Sequence, residues 1–425
     1  MIIKHPLWRT MCSLKGNQRA CVLTEPLWAI PNNLFIPFAS IYMAAFGLPD
    51  SKIGIAASLG LAMQFITALF SGAIVDKYGR RKTMLIFGLI SWSLPCMLWA
   101  GAQGYRYFLL AITLNGLWRI LGNSFSCMIV ENGDTDQLVN IYTILNLFGI
   151  LAGFISPAAG LCIDRFTLVP TMRIIYLSSF FLMTVKFILQ YRLAKESEVG
   201  RQRKEECRDS SIFVLTFGGW SIFVNALRHT GLLLYVILMT LITCFNITQA
   251  TFWPLFVTAS YGVSAAMLSV FPMIKAIATI MVYLFITSHI SMHSIKRPLL
   301  LALGTHLLGL ALLLLCLPFA KAAIAAVFFS AVCEATALAV LGPLCEALMS
   351  AAIPGRERAR VNSLITAMIL LISIPVGAVA GRLSQHNRML PLVLNLCLLI
   401  AEMLVAVIIT YRNRTNRSSV GASEL

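Results

Sequence analysis

The sequence predicts an all-α membrane protein with twelve transmembrane helices in two pseudo-symmetric six-helix bundles. Three observations carry that prediction. Of the 425 residues, 59% are hydrophobic and only 12% charged, with a mean hydropathy of +0.83; a soluble domain is roughly 45–50% apolar and about 25% charged. Apolar runs of about twenty residues recur along the whole chain, each long enough to cross a hydrocarbon core of about 30 Å. The two halves also repeat one another. At an offset of 215 residues, Phe46-Gly47-Leu48 falls on Tyr261-Gly262-Val263, Arg81-Lys82 on Lys296-Arg297, and Glu131 on Glu346. The predicted organisation is an N-terminal bundle over 1–191, a linker over 192–230 and a C-terminal bundle over 231–425.

Charge distribution sets the orientation. The net charge of +16 would suit a nucleic-acid partner if it were spread over one surface, but it alternates with the loops. Among loops predicted on the opposite side, the basic residues are only Lys52, Arg106, Arg165, Arg173, Lys321, Arg382 and Arg388. Of the rest, all but three that lie within spans fall in the N-terminal tail, the even-numbered loops, the linker and the C-terminal tail. Such asymmetry puts both termini and the linker in the cytoplasm, so the basic balance reports topology and not nucleic acid. A multi-pass protein of the cytoplasmic membrane, a monomer surrounded by lipid, is expected. Residues 1–25, with Lys4, Arg9, Lys15 and Arg19, are too polar for a cleaved signal peptide. The eleven Cys show no Cys-x-x-Cys spacing and read as free thiols inside apolar segments.

Taken in order, the first span covers about 26–46, interrupted by Pro31 and Pro37. Spans follow at about 52–75, 83–101, 107–130, 138–162 and 171–190. Residues 192–211 are dense in Lys, Arg and Glu and read as solvated; Ile212–Leu227 mixes Phe, Trp and Leu with Gly, Ser and Asn and reads as an amphipathic segment at the interface. The second half gives spans at about 231–260, 265–288, 298–318, 322–348, 361–384 and 389–411.

Between the second and third spans lies Gly72-Ala-Ile-Val-Asp76-Lys-Tyr-Gly79-Arg80-Arg81-Lys82. This pattern, Gly-x-x-x-Asp-Lys-x-Gly-Arg-Arg, resembles the signature loop of the major facilitator superfamily of secondary transporters, and the likeness in span count and repeat extends over the whole chain. The resemblance implies a conformational-gating role for Gly72, Asp76, Gly79, Arg80, Arg81 and Glu131, with Glu346 as the repeat-related acid. Asp76 and either Arg80 or Arg81 would engage Glu131 and the start of the eleventh span.

Charges deep in a span are costly, about 2.5–3.5 kcal/mol at the bilayer centre, and so mark candidate functional sites. Arg119 lies about twelve residues from either end of the fourth span. The 215-residue offset carries it onto Glu334, which suggests a midplane charge pair serving substrate or proton coupling; a structural ion pair is the plainer alternative. Lys275 would either bind an anionic substrate or pair with an acid, and Glu402 would serve scaffolding or proton coupling. Lys186 is expected to snorkel. Asn32, Asn33 and Tyr42 on the first span, and Asn246, Gln249, Phe252 and Trp253 on the seventh, offer amides beside aromatics for a partly apolar ligand; helix–helix hydrogen bonding would use the same groups.

The fifth span reads Gly149-x-x-x-Gly153-x-x-Ser156-Pro157-x-x-Gly160. It is similar to the Gly/Pro signature of the antiporter branch, with Ser156 where Gly is expected, and the residues around Arg119 resemble that branch's efflux pattern except for Gly122-Asn123. No phosphate-binding loop, Ser/His/Asp set or metal-ligand spacing occurs, so no enzyme, metal or cofactor is expected. The reading is alternating-access transport of a small organic molecule, with proton-coupled efflux of a drug-like or amphipathic compound ahead of uptake of a sugar or organic anion. A transporter-like sensor is the third reading.

Overall fold

Helices account for nearly the whole of the computed structural model, which describes residues 6–131, 137–217, 230–286, 296–317, 320–351 and 358–421; no strand occurs among them. The chain forms two units. One holds Met1–Leu48, Ala56–Gly219 and Ala265–Pro272; the other holds Pro49–Ile55, Trp220–Ser264 and Met273–Leu425.

The first unit begins with two helices where the sequence suggested only a polar tail, α1 (Pro6–Ser13) and α2 (Gly16–Thr24). Side-chain amides explain the difference. Asn17 donates from Nδ2 to the Lys195 carbonyl at 2.9 Å and accepts the Lys195 N–H at 2.8 Å, and Gln18 donates to the Ile129 carbonyl at 2.9 Å. Cys21 and Val22 are fully buried behind them. The first span then runs as α3 (Pro26–Phe35), a 3₁₀ turn at Ile36–Phe38 and α4 (Ala39–Ala45). Pro37 has no N–H to continue the α-helical ladder, which accounts for the tightened turn. Tyr42 is wholly buried, donates to the Trp99 carbonyl at 3.2 Å and packs among Trp99, Phe108 and Tyr176, so it belongs to the core and not to a ligand site.

The second and third spans are α5 (Asp50–Tyr78) and the run α6 (Arg80–Gly88), a π turn at Leu89–Ser93 and α7 (Leu94–Ala100). Pro95 cannot donate to the Ser91 carbonyl one turn earlier, and Asn115 supplies that bond from Nδ2 at 2.8 Å.

The fourth span, expected as one helix, is broken into α8 (Tyr105–Asn115) and α9 (Trp118–Val130). Gly116 sits at the break, where a Cβ would lie 2.5 Å from Met63 Cβ. The absent side chain lets the fourth span approach α5 closely, and Thr67 of α5 donates to the Gly116 carbonyl at 2.8 Å. The fifth span likewise divides into α10 (Leu138–Ala152), a 3₁₀ turn at Gly153–Ile155 and α11 (Ser156–Phe166), with Gly160 packed on Ala266 and Ser269. The sixth is α12 (Leu168–Leu193).

The start of the linker is docked, not freely solvated. Ala194, Ser197 and Cys207 are buried around α13 (Glu198–Glu206). Beyond it, α14 (Ile212–Phe217) exposes Phe213 and Val214 while Phe213 and Phe217 lean on Phe70. The rest of the expected amphipathic segment, 218–227, lies outside the described residues.

The first unit also takes α16 (Ala265–Leu268). The second unit packs α15 (Thr230–Tyr261) against α20 (Arg358–His386) and α21 (Leu390–Gly421), and α18 (Lys296–Leu315) against α19 (Ala320–Ala351). Its core includes Leu238, Val282, Leu299, Leu303 and Leu341, with Val282 contributed by α17 (Val270–Phe285). The first turn of α5 belongs to this unit, where Asp50 accepts from Ser384 at 2.7 Å and from Arg388 at 3.1 Å.

Ten helical segments among the described residues are long and apolar enough to cross a membrane. The other two predicted spans, 26–46 and 107–130, coincide with the runs α3–α4 and α8–α9. Outward-facing Leu161, Ile174 and Leu301 are 73%, 66% and 70% exposed. An apolar exterior of this kind needs lipid around it, and the chain is an integral multi-pass membrane protein.

Candidate functional site

The first unit assembles a charge hub from the loop between α5 and α6. Gly79 holds φ at +88°, in the region that side chains disfavour, and so turns the chain sharply into α6. Arg80, 3% exposed, reaches back: its Nη2 lies 2.9 Å from Asp76 Oδ1 and 3.0 Å from Glu131 Oε1, and its Nε donates to Glu131 at 3.1 Å. The two-nitrogen grip is the fork geometry that guanidinium offers a carboxylate. Arg81 does something else. It donates from Nε to the Tyr191 carbonyl at 2.8 Å and lies 4.0 Å from that ring's centroid. Of the two arginines, Arg80 therefore takes Glu131. Gly72 is not tightly packed within this unit, since a Cβ there would meet nothing closer than Asn123 Nδ2 at 3.9 Å.

Three linker residues complete the hub, and no motif marks them. Glu196 accepts the backbone N–H groups of Arg80 at 2.8 Å and Arg81 at 3.0 Å, capping α6 from a distant segment. Ser197 donates to the second oxygen of Glu131 and accepts the Gly200 N–H that opens α13. Arg203 donates to Asp76 Oδ2 at 3.1 Å; hydrogen bonding to Glu206, and then the charge of Asp76, hold its guanidinium above its ordinary pKa. The side chain of Glu346 lies outside the described residues, as does that of Asn362 at the start of α20.

Deeper in the same unit, Arg119 opens α9 just past the break at Gly116. Its Nε donates to Gln64 Oε1 at 3.2 Å and its guanidinium lies 4.3 Å from the Trp118 ring centroid. Asn33 bonds the Ala29 carbonyl at 2.9 Å and the Gly149 carbonyl at 3.3 Å, a helix-to-helix tie. The Asn32 Oδ1 has no partner among the described residues. Lys186 does not snorkel. It is 4% exposed, pairs with Glu25 Oε2 at 2.9 Å, and has the rings of Trp28, Phe125 and Phe187 within 5.6 Å.

The second unit contains the most concentrated polar chain. Glu334 of α19, 7% exposed, accepts from Lys275 of α17 at 2.7 Å and from Gln249 of α15 at 2.9 Å. Gln249 in turn accepts from Asn395 of α21 at 3.0 Å. Lys275 Nζ also stands 5.5 Å from the Trp253 ring centroid, within reach of a cation–π contact. Four helices thus converge on one carboxylate. Gln249 and Trp253 are part of this group, whereas Asn246 is exposed on α15. His306 of α18 is 4% exposed, lies within electrostatic reach of Glu334 and Lys275, and packs 4.5 Å from the Phe245 ring; neither ring nitrogen has a partner among the described residues. Glu402 of α21 is 1% exposed, with Oε1 likewise unpartnered.

Inside its own unit, then, the partner of Glu334 is Lys275, to which the 215-residue repeat does not point. The arrangement is chemically specific. A proton on Glu334 would remove the charge that holds Lys275, and a ligand acid would compete for the same ammonium. No group of three or more His, Cys, Asp or Glu able to hold a metal occurs among the described residues.

The family model described as Major Facilitator Superfamily matches residues 28–378. Similar solved structures include a nucleoside transporter, NupG, 13% identical over 93% of this chain and 99% of that chain with a TM-score of 0.69. Another is the xylose transporter XylE from E. coli in an inward open conformation, 14% identical over 92% and 94% with a TM-score of 0.65. A third is the peptide transporter POT in complex with sulfate, 13% identical over 97% and 99% with a TM-score of 0.68. At these identities the likeness is one of fold. Sequence comparison with curated proteins gives no match.

Proposed function

The chain belongs to the major facilitator superfamily, and from that premise we infer that it is a proton-coupled exporter of a small organic molecule working by alternating access. The observation that carries the coupling is the Glu334–Lys275 pair: a buried carboxylate that, among the described residues of its unit, pairs with a single ammonium. Removing one member of a buried pair costs about 3–5 kcal/mol, whereas the intact pair adds little stability. Such a pair has a use when a proton or a ligand can take one partner's place. In this reading Glu334 carries the coupling proton, Gln249 and Asn395 orient it, and Lys275 and Trp253 meet the substrate. Arg119, Asn32, Asn33 and Asn246 serve the substrate path.

Export as the direction rests on Arg119 in the fourth span and on the Gly/Pro pattern of the fifth. The hub at Asp76, Arg80 and Glu131 gates the cytoplasmic side of a protein in the cytoplasmic membrane, with both termini inside. The energy source is the proton gradient, and no cofactor takes part. Protein reconstituted in liposomes with an internal pH indicator tests this: adding substrate should move protons in proportion to substrate flux, with the two in opposite directions. Parallel movement would make the protein an importer, and binding without any flux would make it a sensor.

A further inference from the structure

Glu402 of α21 is 1% exposed, and its Oε1 has no hydrogen-bond partner among the described residues. None of the ion pairs among those residues includes it. An ionised carboxylate left alone in apolar surroundings is so costly that the group takes up a proton instead. The helices α15, α18 and α20 pack against α21. From α15, Cys244 lies within electrostatic reach of Glu402, and from α20 Ser373 accepts from the Cys244 thiol at 3.5 Å. On α18, His306 has Glu334 and Lys275 as its electrostatic partners. The cations Lys296, Arg297 and Arg382 and the titratable His386 are exposed near the ends of α18 and α20.

A polar seam leads from this acid to the Lys275–Glu334 bridge. Asn395 precedes Glu402 on α21 by about two helical turns, roughly 10 Å along the axis, and so shares its face. Its Nδ2 donates to Gln249, which in turn donates to Glu334. Its Oδ1 has no partner among the described residues, and neither has Oγ1 of Thr248, which lies one turn from Cys244 on α15. Asn395 is 0% exposed and Thr248 1%. Unpartnered oxygens of Glu402, Thr248 and Asn395 thus fall along the contact of α15 with α21, and buried polar atoms of this kind are ordinarily satisfied by internal water. Solvent meets the other end of the seam, where the Lys275 side chain is 32% exposed.

Resting on the transport reading above, we propose that Glu402 is a second proton-binding site, which takes the proton that Glu334 gives up through water held in this seam. The O–H bond on Glu334 breaks, a proton shifts along the water and the Thr248 hydroxyl, and an O–H bond forms on Glu402. The negative charge passes to Glu334, where Lys275 pairs with it. Both ends are stabilised, because the bridge re-forms while the lone buried carboxylate is neutralised. A metal cation is a poorer occupant, since the free oxygens are strung over about two turns and not gathered round one point.

Infrared spectroscopy of the full-length protein, in a detergent without ester groups, tests this with no substrate present. At neutral pH the wild type should show the carbonyl stretch of a protonated carboxylic acid, and the band should shift in heavy water. Glu402→Gln should lack that band. Thr248→Val, which keeps the shape and removes the hydroxyl, should slow exchange of the acid proton about tenfold; Thr248→Ser should exchange like the wild type. The Thr248 variants decide the matter even if Glu402→Gln does not fold. A band that survives Glu402→Gln, or one lost in Glu334→Gln instead, would overturn the proposal. So would exchange as fast in Thr248→Val as in the wild type, or a band that sodium abolishes. Liposomes separate this inference from the reading beneath it. Proton-linked flux in a protein whose acid band survives Glu402→Gln sinks the second site alone, and a band assigned to Glu402 without any flux sinks the transport reading alone.

Discussion

Glu196 caps the helix that Arg80 opens. Its two carboxylate oxygens receive the backbone N–H groups of Arg80 and Arg81, so a linker residue more than a hundred positions away fixes the start of the third span. The same carboxylate lies 2.8 Å from where a Cβ would stand on Gly79. Losing a helix cap costs about 0.5–2 kcal/mol, so Glu196→Ala should lower the melting temperature in detergent, with Glu196→Gln in between. Gly79→Ala should be at least as damaging, because it adds left-handed backbone strain of about 1–2 kcal/mol to the displacement of Glu196. Unchanged melting in both variants would show that the linker is not docked on this loop.

Charge at the hub has a separate consequence. Asp76 is shared between Arg80 and Arg203, while Glu131 takes both a forked Arg80 and the Ser197 hydroxyl. Asp76→Asn preserves size but gives up both ion pairs, and Arg80→Lys gives up the fork. Both variants should reach the membrane at normal levels yet transport more slowly. Wild-type flux in the two would leave the loop with an orienting role alone.

Within the first unit, Glu25 and Lys186 make the plainest test of a buried pair. Both side chains are largely covered, at 14% and 6% exposure. Glu25→Gln leaves an ammonium among aromatic rings and should cost about 3–5 kcal/mol, seen as a fall in thermal stability. Adding Lys186→Met should recover most of it. A double variant no more stable than the single would mean that the damage came from packing and not from charge.

What the sequence revealed about this molecule was periodic or contiguous. Apolar runs disclose the spans, and the spacing of Asp76, Gly79 and Arg80 discloses the hub. The break at Pro37 could be anticipated because proline removes a donor at a known position, but Pro31, expected to interrupt the same span, lies inside α3 without breaking it. Partners drawn from distant segments left no such mark. Glu196 on Arg80, Glu25 on Lys186 and Lys275 on Glu334 each depend on which helix faces which, and hydropathy does not encode that. The polarity of residues 1–25 even misled, because Asn17 and Gln18 spend their amides on buried backbone and not on water. The break at Gly116 was hidden for a related reason: a glycine inside an apolar run reads as packing until the neighbouring Met63 is known.

Orientation is open to a direct check with single cysteines in a background lacking all eleven. Gln103 lies in the exposed connection between α7 and α8 and Asp164 is exposed near the end of α11, both on the side predicted to be outside, and Arg201 is exposed on α13. In intact cells an impermeant maleimide should label Gln103→Cys and Asp164→Cys and leave Arg201→Cys unmodified until the membrane is opened. Labelling of position 201 in intact cells would invert the topology. Ser197 is unsuitable as a probe, since it is buried against Glu131.

The coupling role of Glu334 makes the most demanding prediction. If this carboxylate carries the proton, Glu334→Gln fixes the site in a neutral form that can hydrogen-bond to Gln249 but can neither release a proton nor hold Lys275 by charge. Transport driven by a pH gradient should then collapse by about tenfold or more, corresponding to at least about 1.4 kcal/mol of lost coupling. Exchange of substrate for substrate, which needs no net proton movement, should persist. Lys275→Met alone should be worse for folding, because it strands a buried carboxylate, and adding Glu334→Gln should restore expression without restoring the response to pH. Rates in Glu334→Gln that still rise and fall with pH as in the wild type would remove Glu334 from the coupling step. His306 and Glu402 would then be the buried titratable groups of this unit to test next, His306 first because it lies within electrostatic reach of the same pair.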